Sequence, residues 1–176
     1  MWGMFYNKSA GELYCLMSGI LAFGKQTKNY WKRGIQVSSD CFYCTKDQRL
    51  QDLMIEVCQL GVSTLYLFRE PTYRGRCIVA YEGHVNELYE LEDKELALFM
   101  QDVSRAASAI KKAFSPDKIN YGAYSDKLPH LHFHVVPKYK DGYTWGGTFE
   151  MSPANKQHLS DAEYQEMIEL IKKNLK

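Results

Sequence analysis

Three of the chain's five histidines stand in His130-Leu131-His132-Phe133-His134-Val135-Val136, each separated from the next by one apolar residue. Strict alternation of this kind is the period of a β-strand, whose successive side chains leave opposite faces. The three imidazoles therefore share one face, and Leu131, Phe133 and Val135 share the other, toward a core. Crowding ionisable groups side by side disfavours at least one charged form, and such clusters tend to mark sites. Two chemistries use a row of imidazoles. They can converge on a metal ion that keeps an open position, or one can attack an electrophile while its neighbours bind charge or carry protons.

Cys41-Phe42-Tyr43-Cys44 is the second motif. A single C-x-x-C suits a redox pair or half of a zinc site, and it also arises by coincidence. A four-cysteine site would need the remote Cys58 or Cys77. No βαβ pattern places the pair in a thioredoxin-like context.

The longer pattern His-φ-His-φ-His-φ-φ, with φ apolar and Val135-Val136-Pro137 at its end, resembles the signature of the histidine triad superfamily of nucleotide hydrolases and transferases. The resemblance extends from about Asp40 to Lys140, because Gly75 through Val85, the long helix after it and Asn120-Tyr121-Gly122 stand in the expected order. It implies that His132 attacks the α-phosphorus of a nucleotide and forms a nucleotidyl-imidazole, which water resolves, and that His134 contacts the phosphate or the leaving group. Neutral imidazole is a good nucleophile at about pH 7, and two easier displacements replace one difficult one. Positioning and charge stabilisation can carry such chemistry without Mg²⁺. The resemblance to zinc-bearing members and to galactose-1-phosphate uridylyltransferases further implies a Cys₂His₂ zinc set of Cys41, Cys44, His84 and His130. Such a set is closed and hence structural in type.

The chain also departs from the family pattern. Phe68 stands where many relatives place an Asp or Asn for ribose hydroxyls, and a phenyl ring accepts no such bond. Glu70, two residues on, is the substitute candidate. Ser125-Asp126-Lys127 replaces the Gly-Gln-Ser or Gly-Gln-Thr segment of many relatives, which makes Lys127 a phosphate-binding candidate and Asn120 an orienting one. Lys138 and Lys140 are candidates for a basic strand end facing polyphosphate, with ordinary exposed lysines as the alternative. Beside the leading function, a nucleotide hydrolase or transferase, stand a slow nucleotide-binding sensor or adaptor and a three-histidine metalloenzyme.

Composition adds bounds. A chain of 176 residues suffices for one domain with a full core. A formal charge of +1 supplies no broad footprint for a nucleic-acid polymer or an anionic membrane, so phosphate recognition must be local. Five cysteines, an odd number, argue for a reducing, cytoplasmic compartment over a disulfide framework. The apolar run from Leu13 to Phe23 is interrupted and shorter than the ~20 residues of a membrane span. Residues 1–39 are read as an accessory extension whose Phe23, Tyr30 and Trp31 are available to pack elsewhere, and residues 40–176 as one domain that includes a C-terminal helix.

The elements that must position these residues follow from periodicity. Thr45-Lys46-Asp47-Gln48 has a capping-box pattern and opens a helix with Leu50, Leu53, Met54, Val57 and Leu60 as its stripe, stopped by Gly61. Ser63 to Phe68 and Cys77 to Tyr81 read as strands of a hairpin joined through Glu70-Pro71-Thr72-Tyr73-Arg74-Gly75. Leu96, Phe99, Met100, Val103, Ala107, Ile110 and Phe114 recur at helical steps and predict a long helix from Asp93 to Phe114. Ile119 to Tyr124 pairs with the triad strand, and Tyr143 to Thr148 forms a turn that sets Trp145 near the sheet end. A second capping box, Ser160 to Glu163, opens a last helix carrying Met167, Leu170 and Ile171. Short connections around one long helix give an α+β domain with a mainly antiparallel sheet. The resemblance sharpens this to a histidine-triad-like fold with a five-stranded sheet, paired as a homodimer.

Overall fold

The computed structural model describes residues 4–7, 12–15, 38–154 and 157–175. The chain forms two compact units, Met1–Gly34 and Ile35–Lys176. In the first, strands β1 (Met4–Asn7) and β2 (Glu12–Cys15) pair antiparallel, Met4 opposite Cys15. Phe23, Tyr30 and Trp31 lie outside the described residues.

The second unit is built on a five-stranded antiparallel sheet in the order β3-β4-β5-β7-β6. Its strands are β3 (Met54–Gln59), β4 (Ser63–Phe68), β5 (Cys77–Tyr81), β6 (Lys118–Gly122) and β7 (His132–Lys138). Short helices α1 (Phe42–Thr45) and α2 (Gln48–Leu53) precede it, α3 (Asp93–Phe114) crosses it and α4 (Asp161–Asn174) ends it. The expected α+β architecture, the β4–β5 hairpin, the pairing of β6 with β7 and the bounds of α3 all match the structure.

One element differs. The helix read from Thr45 to Leu60 stops at Leu53, and the chain turns into β3, the fifth strand. Its cap is Asp47, whose side chain accepts from the Arg49 backbone N–H at 2.9 Å. The pairing of β3 with β4 shifts register between Glu56 and Cys58, leaving Val57 as the extra residue of a bulge. Met54 packs beneath the histidine face while Ile55, Val57 and Cys58 pack on the opposite core. A bulge breaks the period of two, so the apolar spacing 50, 53, 54, 57, 60 imitates a helix.

Both faces of the sheet are covered, which is why β4 and β5 read as nearly continuous apolar runs. On one face Phe99, Val103, Ala106 and Ile110 of α3 and Met167, Ile168 and Ile171 of α4 pack on Leu65, Leu67, Val79 and Val135. Met100 and Leu170, expected in the two helical stripes, are instead exposed. Asp102 is buried on the inner side of α3, and its carboxylate accepts from Gly61 N–H, Val62 N–H and Ser63 Oγ–H at 2.8 to 2.9 Å. That fixes the β3–β4 turn on the helix. The capping box of α4 is present, with Ser160 and Glu163 exchanging bonds. Gly75 closes the turn before β5 at φ 85°, and a Cβ there would stand 2.5 Å from the Phe114 ring. No helix among the described residues is long and apolar enough to cross a membrane.

Candidate functional site

The other face of the sheet carries the histidines. Ala80 pairs with His132 and Ile78 with His134, so both imidazoles leave β7 on the side of Ile78 and Ala80. His130 precedes the strand as assigned, yet it is held in line because Leu131 N–H donates to Val85 O and its carbonyl accepts from Tyr81 N–H. All three imidazoles are buried. Each ring turns its Nδ1 to a different partner.

His130 turns toward the C-x-x-C. Its Nδ1 lies 3.3 Å from Cys41 Sγ, 3.8 Å from Cys44 Sγ and 3.4 Å from His84 Nδ1, and Cys44 Sγ lies 3.3 Å from His84 Nδ1. The ligand atoms of Cys41, Cys44, His84 and His130 all fall within 4.8 Å of one another. A tetrahedral ion about 2.3 Å from sulfur and about 2.05 Å from nitrogen would set S···N at about 3.6 Å and N···N at about 3.3 Å. The cluster fits such an ion. His130 Nε2 is 2.9 Å from the Tyr81 carbonyl oxygen, which can only accept, so the proton sits on Nε2 and the Nδ1 lone pair faces the cluster. Burial pushes His130 down to about 4, and metal ligation needs that neutral form. Helix α1 brings both thiols to this corner by a single turn, closed by Cys44 N–H and Thr45 N–H on the Cys41 carbonyl.

His132 has a different partner. Its Nδ1 is 2.7 Å from the carbonyl oxygen of His130. Burial first, and then the charge of Arg76, lower its pKa, while the bond to the carbonyl opposes them. The Tyr43 ring lies 4.8 Å from His130 and 5.2 Å from His132, roofing the two.

His134 meets Arg76. The guanidinium Nη2 lies 3.1 Å from His134 Nδ1, and burial, reinforced by the Arg76 charge, pushes His134 down to about 2. Arg76 is itself 1 % exposed and lies over the Phe68 ring at 4.2 Å, with the Phe149 ring 5.5 Å away. Its Nη1 donates to the Met151 carbonyl at 3.2 Å. Gly122 opposite His134 lets Phe149 close in, since a Cβ there would be 2.8 Å from that ring.

The remaining candidates are spread along this face and its rim. Asn120 pairs with Val136, one step along the same face from His134. Glu70 takes Thr72 N–H and Oγ–H on Oε1, while its buried Oε2 has no partner. Lys127 is exposed in the loop before the triad, and no bond joins it to the histidines. Lys138 is buried, not a basic rim: its Nζ donates to the carbonyl and hydroxyl of Thr144, because the turn carrying Trp145 folds back over the strand end. Trp145 itself is exposed. Sequence reasoning passed over Arg76, Tyr43 and Phe149. The signal for Arg76 was a cation in phase with Ile78 and Ala80 on an otherwise apolar strand, which places it on the histidine face.

Comparison with known proteins adds relatives to this geometry. The HIT domain model matches residues 50–141. Adenosine 5'-monophosphoramidase hnt1 of Schizosaccharomyces pombe is 23 % identical over 110 residues, covering 60 % of this chain and 80 % of that protein. A histidine triad protein from Sinorhizobium meliloti superposes with TM-score 0.67 at 23 % identity, covering 73 % of this chain and 94 % of that one. A Zn-bound histidine triad family protein from Mycobacterium smegmatis superposes with TM-score 0.56 at 19 % identity, covering 77 % and 93 %. The fold is the one these structures share.

Proposed function

The chain belongs to the HIT-domain family, and on that premise we propose that it is a nucleotide hydrolase or nucleotidyl transferase acting through His132. The observation that carries the reading is the bond between His132 Nδ1 and the His130 carbonyl. A carbonyl oxygen only accepts, so the proton is on Nδ1 and Nε2 keeps its lone pair. Among the described residues Nε2 has no hydrogen-bond partner, which suits a nucleophile. As Nε2 bonds to the α-phosphorus, the bond from phosphorus to the leaving group breaks, and the leaving group departs with the electron pair and takes up a proton from solvent. The Nδ1–H···O=C bond stabilises the positive charge that the imidazole then carries. Water attacks the same phosphorus and gives up a proton to solvent, the P–N bond breaks with its electron pair returning to Nε2, and a nucleoside monophosphate leaves. The relative named an adenosine 5'-monophosphoramidase supports a nitrogen leaving group.

His134 has the buried Nε2 as its unengaged ring nitrogen and is proposed to meet a phosphate oxygen or the leaving group. Asn120 is proposed to orient substrate from β6, Glu70 to approach it from the β4–β5 turn through its unpartnered Oε2, and Lys127 to meet the distal phosphate from the loop. Cys41, Cys44, His84 and His130 are proposed to hold one structural zinc ion, supported by their spacing and by the second bond of His130 to Tyr81. When bound, zinc supplies a cross-link that ties α1 to the start of the triad strand. A reducing compartment and a homodimer complete the reading.

The test is a mass-spectrometric incubation of the purified protein with adenosine 5'-phosphoramidate, a dinucleoside polyphosphate and a nucleotide sugar, followed by rapid quenching and peptide mapping. A nucleotidyl mass on the peptide containing His132, together with nucleoside monophosphate in solution, is the expected result. Turnover without any adduct, undiminished when His132 is changed to Ala, would overturn it.

A further inference from the structure

We propose that Arg76, supported by the ring of Phe68, is a positioning residue that holds His134 as the Nε2–H tautomer. The geometry leaves one assignment. Arg76 Nη2 and His134 Nδ1 are 3.1 Å apart, and a guanidinium has donors only. Nδ1 must therefore accept, and the ring proton must sit on Nε2. That nitrogen is buried and has no hydrogen-bond partner among the described residues, so the ring is held with an unsatisfied donor.

The arginine is built to stay where it is. It is fully buried, its Nη1 is tied to the Met151 carbonyl, and its flat face rests on Phe68 at 4.2 Å with Phe149 5.5 Å away. The same two rings flank His134, at 6.4 Å for Phe68 and 6.0 Å for Phe149. Guanidinium and imidazole thus sit together between two aromatic side chains. Arginine is suited to this place because a planar, weakly hydrated cation stacks on an aromatic face while its edge donates. Phe68, which departs from the acceptor many relatives carry, acquires a reason: a carboxylate at that position would accept from Arg76 and draw the fork away from His134. Without the arginine, an imidazole is free to carry its proton on either nitrogen, and the Nδ1–H form would present a lone pair where a phosphate oxygen needs a donor.

The use of this arrangement rests on the phosphate contact proposed for His134, but its test needs no substrate. Long-range ¹H–¹⁵N correlation spectra of the full chain at about pH 7 distinguish the two neutral tautomers of each histidine. The expected wild-type result is a single Nε2–H form for His134. In Arg76→Met, which keeps bulk and removes every donor, the Nδ1–H form is expected to rise to at least about a tenth of the population, with metal content and near-UV circular dichroism unchanged. Phe68→Asp is expected to do the same. A wild-type His134 protonated on Nδ1 overturns the proposal, as does a folded Arg76→Met that keeps the pure Nε2–H form. Should Arg76→Met fail to fold, Phe68→Asp decides, and a pure Nε2–H form there overturns the pair. Loss of catalytic turnover in the mass-spectrometric test with these tautomers intact would count against the function and leave this assignment standing.

Discussion

The two ends of the run His130–His134, which enters β7 at His132, differ in how completely their imidazoles are satisfied. At His130 both ring nitrogens are accounted for, one by Tyr81 O and one by a cluster with Cys41, Cys44 and His84. Two and four residues on, His132 and His134 are each anchored through Nδ1 and, among the described residues, leave Nε2 without a hydrogen-bond partner. The residue type, the strand face and the burial are the same. What differs is the facing element, a helical turn with two thiols at one end and an arginine between phenyl rings at the other. A closed set of ligands can only stabilise, whereas an anchored ring with a free nitrogen can react. On the proposed reading one end is structural and the other reactive.

His132→Ala should have the largest effect, a fall in kcat of at least about 10³-fold, or about 4 kcal/mol of barrier, because the proposed attacking atom is removed. Its melting temperature should fall only modestly, since the buried ring makes one hydrogen bond, to the His130 carbonyl, beside ring contacts with Tyr43 and His134. A kcat within about tenfold of wild type would remove His132 from the mechanism. Cys44→Ala should break the other end. Metal content should fall to near zero and stability by about 2–5 kcal/mol, seen as a lowered denaturant midpoint, with activity lost only as unfolding proceeds. An immediate loss of turnover at undiminished stability would shift the metal into the chemistry. The smallest effect is expected from beginning the chain at Ser38. Among the described residues the partners of both ends lie at Cys41 and beyond, so metal content and KM should stay within about twofold. A tenfold rise in KM would show the first unit to be part of the site.

Much of this was legible in the sequence, and what was not has physical reasons. Alternation set the histidine face, and a repeat of three and four set α3 to its last residue, because α3 is one unbroken helix and β7 pairs without a register shift. Strand β3 was hidden by a bulge that gives Val57 a helical spacing from Leu50, Leu53 and Met54. The approach of Cys41 and Cys44 to His130 spans 89 and 86 residues of sequence, and only the family resemblance brought them together beforehand. Arg76 and Lys138 were the hardest to read. A cation in an apolar strand ordinarily snorkels to water, and nothing local announces that Phe68 and Phe149 will enclose the one, or that Thr144 and Gly147 will offer oxygens to the other.

The division of labour along β7 is tested most directly by the metal content of two single variants measured beside the wild type. Zinc determined by elemental analysis, after purification without chelator, should be one per chain in the wild-type protein and in His132→Ala, and should be lost in His130→Ala. Loss of zinc from His132→Ala, with retention in His130→Ala or in a double Cys41→Ala, Cys44→Ala variant, would contradict the account and make the triad itself the metal site.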